Sequence, residues 1–304
     1  MQIEGRLHAL VSTSTIRVLL NGKAGGGHAP EELSRAFRDG GVEPELVAAR
    51  PGEDVRELAQ RALEDRPSIL VAAGGDGTVS AIAGVVRGTD TALGVVPMGT
   101  LNHFARDLRI PLELDKAVRT IAAGRRVAVD TGDVNGLCFL NNSSLGLYPD
   151  IVRERKRQQR RLGRSKRSAM LWATLAALNR PPLLELDLEL PQRREVCSAP
   201  FIFIGNNEYV MEGFSIGTRK RLDAGRLSVY TTHRAGRASL IMLALRALFG
   251  RLRQAEDFVA FSVKSLRVAG WRSDLVVAHD GEVSRMQTPL EFRIRPRSLN
   301  VIVP

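Results

Sequence analysis

Residues 69–86 read ILVAAGGDGTVSAIAGVV: an apolar run, a glycine-rich break, then a second apolar stretch. Ile69–Ala73 has the make-up of a buried strand, and Val79–Val86 has helical character. Between them, Gly74-Gly75-Asp76-Gly77-Thr78 turns the chain from one into the other. A buried strand needs cover on both sides, which a chain of this kind supplies by alternating strands with helices.

The neighbouring sequence shows that alternation. Ile16–Leu20 is a short apolar strand that runs into Asn21-Gly22, and Gly25-Gly26-Gly27 extends the turn. Pro30 opens a helix over 31–38 with acids in its first turn, where the helix dipole prefers them. Val55, Leu58, Ala59, Ala62 and Leu63 make an amphipathic stripe. Ala92–Val96 is a further strand, ended by Pro97. A helix is predicted over Thr100–Leu108, and another is marked by Leu114, Val118 and Ile121 and ended by Gly124. Residues 16–130 are therefore expected to form an α/β unit with a parallel sheet and crossover helices. After 130 the rhythm changes. Leucine alternates with acid over 184–190, and strands are predicted at 201–204, 227–231, 258–268, 275–278, 290–294 and 299–303. Helices are predicted only at 168–179 and 238–249. Residues 131–291 read as mostly antiparallel β, a sandwich or barrel.

The net charge of +11 is concentrated. Residues 153–167, RERKRQQRRLGRSKR, carry nine basic side chains against Glu154, leaving only +3 for the rest of the chain. Such a run binds nucleic acid or an anionic membrane, or is simply solvated. The apolar segment after it, with Met170, Leu171, Trp172, Leu175 and Leu178, suits an element lying at a membrane interface. No apolar run reaches the roughly 18 residues of a spanning helix, and the first residues lack the apolar centre of a signal peptide. Cys138 and Cys197 read as reduced, buried thiols. A cytoplasmic protein is expected.

Three polar glycine turns follow consecutive strands. Gly74–Thr78 can bring backbone N–H groups close to a phosphate at a helix N-terminus. A carboxylate among those amides, Asp76, points to Mg²⁺. Pro97-Met98-Gly99-Thr100-Leu101-Asn102 repeats the geometry, with Thr100 and Asn102 able to cap a helix or touch a nucleotide. Asn21–Gly27 is the third. Neither a P-loop nor a complete dinucleotide fingerprint is present. His279-Asp280-Gly281-Glu282 lies between two strands. It reads both as a hairpin turn and as a site where Asp280 serves as general base beside Glu282. Gly213-Phe214-Ser215-Ile216-Gly217 matches a nucleophile elbow but lacks the strand and helix that motif needs. The histidines lack zinc-site spacing.

With these segments in view, residues 16–304 resemble the diacylglycerol kinase catalytic-domain family, which includes sphingosine and ceramide kinases. The resemblance rests on VAAGGDGTVSAIAGVV (71–86), LGVVPMGTLNHFARDLRIP (93–111), VDTGDVNGLCFLNNSSLG (129–146), NNEYVMEGFSIGTRKRLDAGRLSV (206–229) and HDGE (279–282). It implies an N-terminal α/β nucleotide domain, a C-terminal β-sandwich and a final strand, 292–304, that returns to the first domain. ATP and Mg²⁺ would lie in the cleft, and a membrane lipid would offer the accepting hydroxyl. Carried over by position, Gly74, Gly75, Asp76, Gly77 and Thr78 would cradle phosphates. Asn21, Gly99, Thr100 and Asn102 would line the nucleotide pocket, and Asp76 and Asp130 would support the metal or the cleft's hydrogen bonds. Asp280 would be the base, with Glu282 beside it. The basic run would dock the protein on the inner, anionic face of the membrane, with no nucleic acid partner expected and room for a homodimer. Two positions depart from the family pattern. His103 stands where many members have Asp, and Leu222-Asp223-Ala224-Gly225 has lost one carboxylate of an LDDG loop that holds a structural Mg²⁺ in some. A kinase of the NAD kinase type, which shares GGDGT, and a non-catalytic basic binding protein are the alternatives.

Overall fold

The computed structural model describes residues 15–21, 30–50, 52–147, 149, 151–152, 154, 183–190, 193–210, 218–232, 236–248, 258–270 and 273–304. The first half alternates β1 (Ile16–Leu20), α1 (Pro30–Asp39), β2 (Glu45–Ala48), α2 (Val55–Glu64), β3 (Ile69–Gly74), α3 (Asp76–Val86), β4 (Ala92–Pro97), α4 (His103–Asp107) and α5 (Leu114–Ala123). Its strands run parallel in the order β2-β1-β3-β4. Every residue of β3 and β4 is buried, because helices cover both faces. Leu70, Ala72, Leu93 and Val95 pack with Leu58 of α2 and with Ile82 and Val86 of α3. Val71, Ala73 and Val96 face the other way, onto Leu33 and Phe37 of α1 and Val118 and Ile121 of α5. Burying a side chain of this size contributes about 1.5–3 kcal/mol, so these two layers carry the sheet.

The second half comprises β5 (Arg126–Val134), β6 (Leu137–Phe139), β7 (Asn142–Gly146), β8 (Leu184–Leu190), β9 (Arg193–Ala199), β10 (Phe201–Asn206), β11 (Leu227–Thr232), α6 (Arg237–Leu248), β12 (Phe258–Val263), β13 (Ser265–Gly270), β14 (Asp274–His279), β15 (Glu282–Gln287) and β16 (Leu290–Ile302). An antiparallel sheet in the order β12-β11-β10-β7-β14-β15 packs against β16-β13-β8-β9, which continue the first sheet. Phe139, Leu145, Ile202, Ile204, Val229, Val268, Val277 and Phe292 fill the space between. The fold is an N-terminal α/β domain joined to a C-terminal antiparallel β-sandwich.

Several elements differ from their sequence expectation. The segment 258–268 is two strands, β12 and β13, which part at Lys264 and enter different sheets. The segments 290–294 and 299–303 are one strand, β16, with an irregularity between Arg295 and Leu299 and a left-handed Arg297 (φ +48°). β16 pairs with β13 at its start and with β4 near its end, and β5 runs antiparallel beside it on both sides of the irregularity. The helix expected at 100–108 is confined to 103–107, since Asn102 adopts a left-handed φ of +51° that a right-handed helix excludes.

Candidate active site

Two glycine turns meet at the carboxyl ends of β3 and β4. A Cβ on Gly75 would come within 3.3 Å of the Gly99 Cα, and one on Gly99 within 2.8 Å of the Gly75 Cα. Only glycine at both positions lets the turns approach so closely. The Met98 N–H donates to the Gly74 carbonyl at 2.8 Å, extending the β3–β4 pairing into the turns. Gly74 itself packs against the Thr78 side chain, which a Cβ would meet at 2.6 Å. Thr78 Oγ1 in turn accepts from Asn21 Nδ2 at 2.9 Å, which ties the end of β1 to the first turn of α3.

Asn102 locks the second turn. Its Oδ1 accepts from the Gly99 N–H and its Nδ2 donates to the Gly99 carbonyl, each at 2.9 Å. Asn102 therefore holds its own loop instead of capping α4. The Asn102 N–H donates to Asp76 Oδ2 at 2.9 Å, so the carboxylate of GGDGT bridges the two turns. Thr100 is exposed on the same loop.

Asp280 approaches from the sandwich. Asp280 and Gly281 form the two-residue turn between β14 and β15, with φ of +45° and +81°. Positive φ at both central residues marks a type I′ turn, so the hairpin and acid readings describe one feature. The turn aims the carboxylate at the chain between β6 and β7. Oδ1 accepts from the N–H groups of Asn141 (2.8 Å) and Asn142 (3.2 Å), and Oδ2 from that of Leu140 (2.7 Å). The fourth donor is Ser80 Oγ of α3, 2.5 Å from Oδ2. That bond joins the helix after GGDGT to the acid of HDGE. Glu282 stands next along the hairpin, its Oε1 3.7 Å from where a Gly77 Cβ would lie. Two carboxylates, Asp76 and Glu282, thus flank the first turn of α3.

Asp130, expected to support the metal or the cleft's hydrogen bonds, accepts two backbone hydrogen bonds. It is fully buried in β5. Its Oδ1 accepts from the Arg297 N–H at 2.8 Å and its Oδ2 from the Gly225 N–H at 2.6 Å. The carboxylate clasps the irregularity of β16 and the 222–225 loop. Asp223 of that loop pairs outward with Arg221, which holds its carboxyl below the usual range. Among the described residues, no group of three His, Cys, Asp or Glu side chains converges. His103 is exposed at the start of α4.

One buried arginine was not singled out by the sequence. Within TRKR, Arg219 alone is buried, its side chain without exposure. Nε donates to Asp107 Oδ2 of α4 (2.8 Å), Nη1 to the carbonyls of Leu140 (2.6 Å) and Asn206 (3.0 Å), and Nη2 to Asn141 Oδ1 (2.8 Å). The guanidinium also lies 5.5 Å from the centre of the Tyr209 ring. The Tyr209 hydroxyl donates to the Asn141 carbonyl, and burial pushes its phenol up to about 12. The basic residues of the run 153–167, the helix expected at 168–179, the glycines 25–27 and the elbow-like 213–217 lie outside the described residues.

Residues 15–134 match the diacylglycerol kinase catalytic domain, and residues 150–303 match the YegS C-terminal NAD kinase beta sandwich-like domain. The "Probable lipid kinase YegS" of Salmonella heidelberg is 27% identical over 255 residues, 79% of each chain. An uncharacterized Synechocystis protein, sll0036, is 26% identical over 97% of this chain and 71% of its own. A solved structure described as a diacylglycerol kinase from Bacillus anthracis shares the fold with a TM-score of 0.69 at 17% identity, over 96% of this chain and 97% of that one. Another from the same organism superposes with 0.75 at 20% identity, over 96% and 98%.

Proposed function

We propose that this chain, which belongs to the diacylglycerol kinase family, transfers the γ-phosphoryl group of ATP to a hydroxyl of a membrane lipid, with Asp280 as general base. The observation that carries this is the 2.5 Å contact between Ser80 and Asp280. It sets an acid from the sandwich one helical turn from the glycine turns. Phosphoryl transfer asks a protein mainly to position the reactants and offset charge. The first glycine turn and the N-terminus of α3 offer N–H groups to phosphate oxygens.

Asp76 and Glu282 fit a magnesium ion of the kind held by one or two carboxylates and completed by phosphate oxygens and water. Such an ion would supply neutralisation of the phosphate charge. Asp280 has a specific task. A carboxylate offers about four lone-pair sites, and its four donors are three backbone N–H groups and one hydroxyl. The backbone groups are fixed, whereas the serine side chain rotates. The accepting hydroxyl takes the place of Ser80 at Oδ2 and passes its proton there as it attacks the γ-phosphorus, whose bond to the bridging oxygen breaks and releases ADP.

A lipid acceptor agrees with the name of the Salmonella relative and with the charge of 153–167. Ile241 and Met242 are exposed on α6, as a surface resting on lipid would have them. Among the described residues no helix is long and apolar enough to cross a membrane, which suits peripheral binding at the inner face.

The test is transfer from γ-labelled ATP with Mg²⁺ to diacylglycerol, ceramide, sphingosine and phosphatidylglycerol in anionic mixed micelles, with NAD as a soluble acceptor. Asp280→Asn should lower lipid labelling by about 10²-fold or more, the range for a lost general base, while thermal melting shows a folded protein. Ser80→Ala should keep activity within about tenfold of wild type, below the loss expected of a missing base. Label on NAD alone, or full activity in Asp280→Asn, would overturn the proposal.

A further inference from the structure

We infer that Arg219 is a positioning residue that couples the nucleotide side of the cleft to the cradle holding Asp280. This rests on the kinase reading above and extends it to a residue that touches neither substrate.

Arg219 lies where three pieces of chain converge. On one side is Asp107, at the end of α4, the helix that begins right after the Gly99–Asn102 turn. The Arg219 N–H also lies 3.3 Å from Asp107 Oδ1, so backbone and guanidinium both hold this carboxylate. On the other side are the Leu140 carbonyl and Asn141 Oδ1. Leu140 and Asn141 are the residues whose N–H groups donate to Asp280. Each peptide unit is planar, so a contact that fixes a carbonyl also constrains the direction of the neighbouring N–H. The third piece is Asn206, whose carbonyl accepts from Arg219 and whose Nδ2 donates to the carbonyls of Leu140 and Asp130.

The requirement is specific to arginine. Four acceptors are met by one planar fork, together with the face of Tyr209. Lysine brings the charge but neither the fork nor its fixed angles. The ion pair is nearly closed to water, with side-chain exposures of 0% for Arg219 and 7% for Asp107. Movement of α4 on nucleotide binding therefore reaches residues 140–142 through a short, stiff path. Arg219 itself is pinned by its antiparallel bridge to Tyr209 and by the Val210 N–H to Thr218 carbonyl bond of 2.8 Å.

Amide hydrogen exchange with and without MgATP tests this without requiring lipid turnover. In wild type, nucleotide should slow exchange at residues 76–80 and 99–102, and also at 140–142. In Asp107→Asn and in Arg219→Lys, slowing at 76–80 and 99–102 should persist while that at 140–142 is lost. Where lipid transfer is measured, Arg219→Lys should lower kcat at least tenfold with the KM for ATP changed less than twofold. A residue that only stabilises the fold would lower the melting temperature and leave the nucleotide-dependent pattern and the kcat of the folded protein unchanged; that result overturns the inference. If one variant fails to fold, the other decides. Absence of slowing at 76–80 and 99–102 in wild type would overturn the kinase reading, and this inference with it. Slowing there without any at 140–142 would overturn the inference alone.

Discussion

Cys138 shows burial setting the chemistry of a side chain. It lies at 5% exposure in β6 against α3, where a Cβ on Gly84 would come within 3.3 Å of its own. Burial pushes the thiol up to about 12, outweighing the nearby Arg87 charge. The folded chain thus keeps a proton that the unfolded chain gives up from about pH 9. Stability from this group is complete below about pH 9 and is lost as pH rises toward 12, at about 1.4 kcal/mol per pH unit within that window. Tyr209 acts in the same direction from about pH 10. Denaturant titrations across pH 8–11 should show stability falling in wild type and falling less steeply in Cys138→Ala. Iodoacetamide at pH 8 should leave Cys138 unmodified until the protein unfolds. At this scale the sequence is legible where the backbone makes a residue stand out. Asp280 precedes a glycine between strands, and Gly75 and Gly99 follow strands. Arg219 is not legible, because Arg219, Lys220 and Arg221 are alike as letters and only the fold decides which is buried. Ser80 is a common residue whose partner stands 200 positions away.

Among elements, the hairpin of β5 and β6 makes the sharpest demand on a single position. Gly132 and Phe139 are paired across it. A Cβ on Gly132 would lie 2.1 Å from the Phe139 ring, which is fully buried in the sandwich core. Gly132→Ala must displace that ring or the strand, and overpacking of a tight core costs about 1–3 kcal/mol or more. The variant should lose about 3 kcal/mol by urea denaturation, and Phe139→Leu added to it should recover part of the loss by clearing the space. A glycine inside a strand signals close approach in principle, yet VDTGDVNG has no alternation that marks it as a strand, so β5 and β6 escaped sequence reading. The split of 258–268 escaped for another reason. Strand periodicity reports which face a residue occupies, not which sheet it joins, and Lys264 lacks the proline or glycine that usually marks a corner. The other strands and the helices of residues 16–124 were legible because each buried run is separated from the next by glycine, proline or an amphipathic stripe; β2 was not, since its four residues are exposed or half-buried and form no buried run.

At the scale of the whole molecule, charge and catalytic geometry are segregated. Apart from 153–167 the chain carries only +3, and many of its exposed arginines are already paired, as Arg221 is with Asp223, and Arg285 with Asp274. Exposed pairs of this kind contribute little to stability, but they leave little free positive charge for a membrane. Attraction to an anionic surface then falls to the basic run, at about 1 kcal/mol for each basic side chain that reaches the surface. Replacing its nine basic residues with glutamine would lower the net charge from +11 to +2. Partitioning onto vesicles rich in phosphatidylserine should fall by at least a hundredfold, equivalent to about 3 kcal/mol. Partitioning onto phosphatidylcholine vesicles should be unchanged. Raising salt from about 0.05 to 0.5 M should weaken the wild type toward the glutamine variant, because screening acts on exposed charge. Transfer to a short-chain, water-soluble acceptor should be unaffected, since the residues that hold Asp280, namely Ser80, Leu140, Asn141 and Asn142, are none of those replaced. Equal partitioning of the two proteins onto anionic vesicles would place membrane attachment elsewhere, with the apolar residues of α6 the next surface to alter.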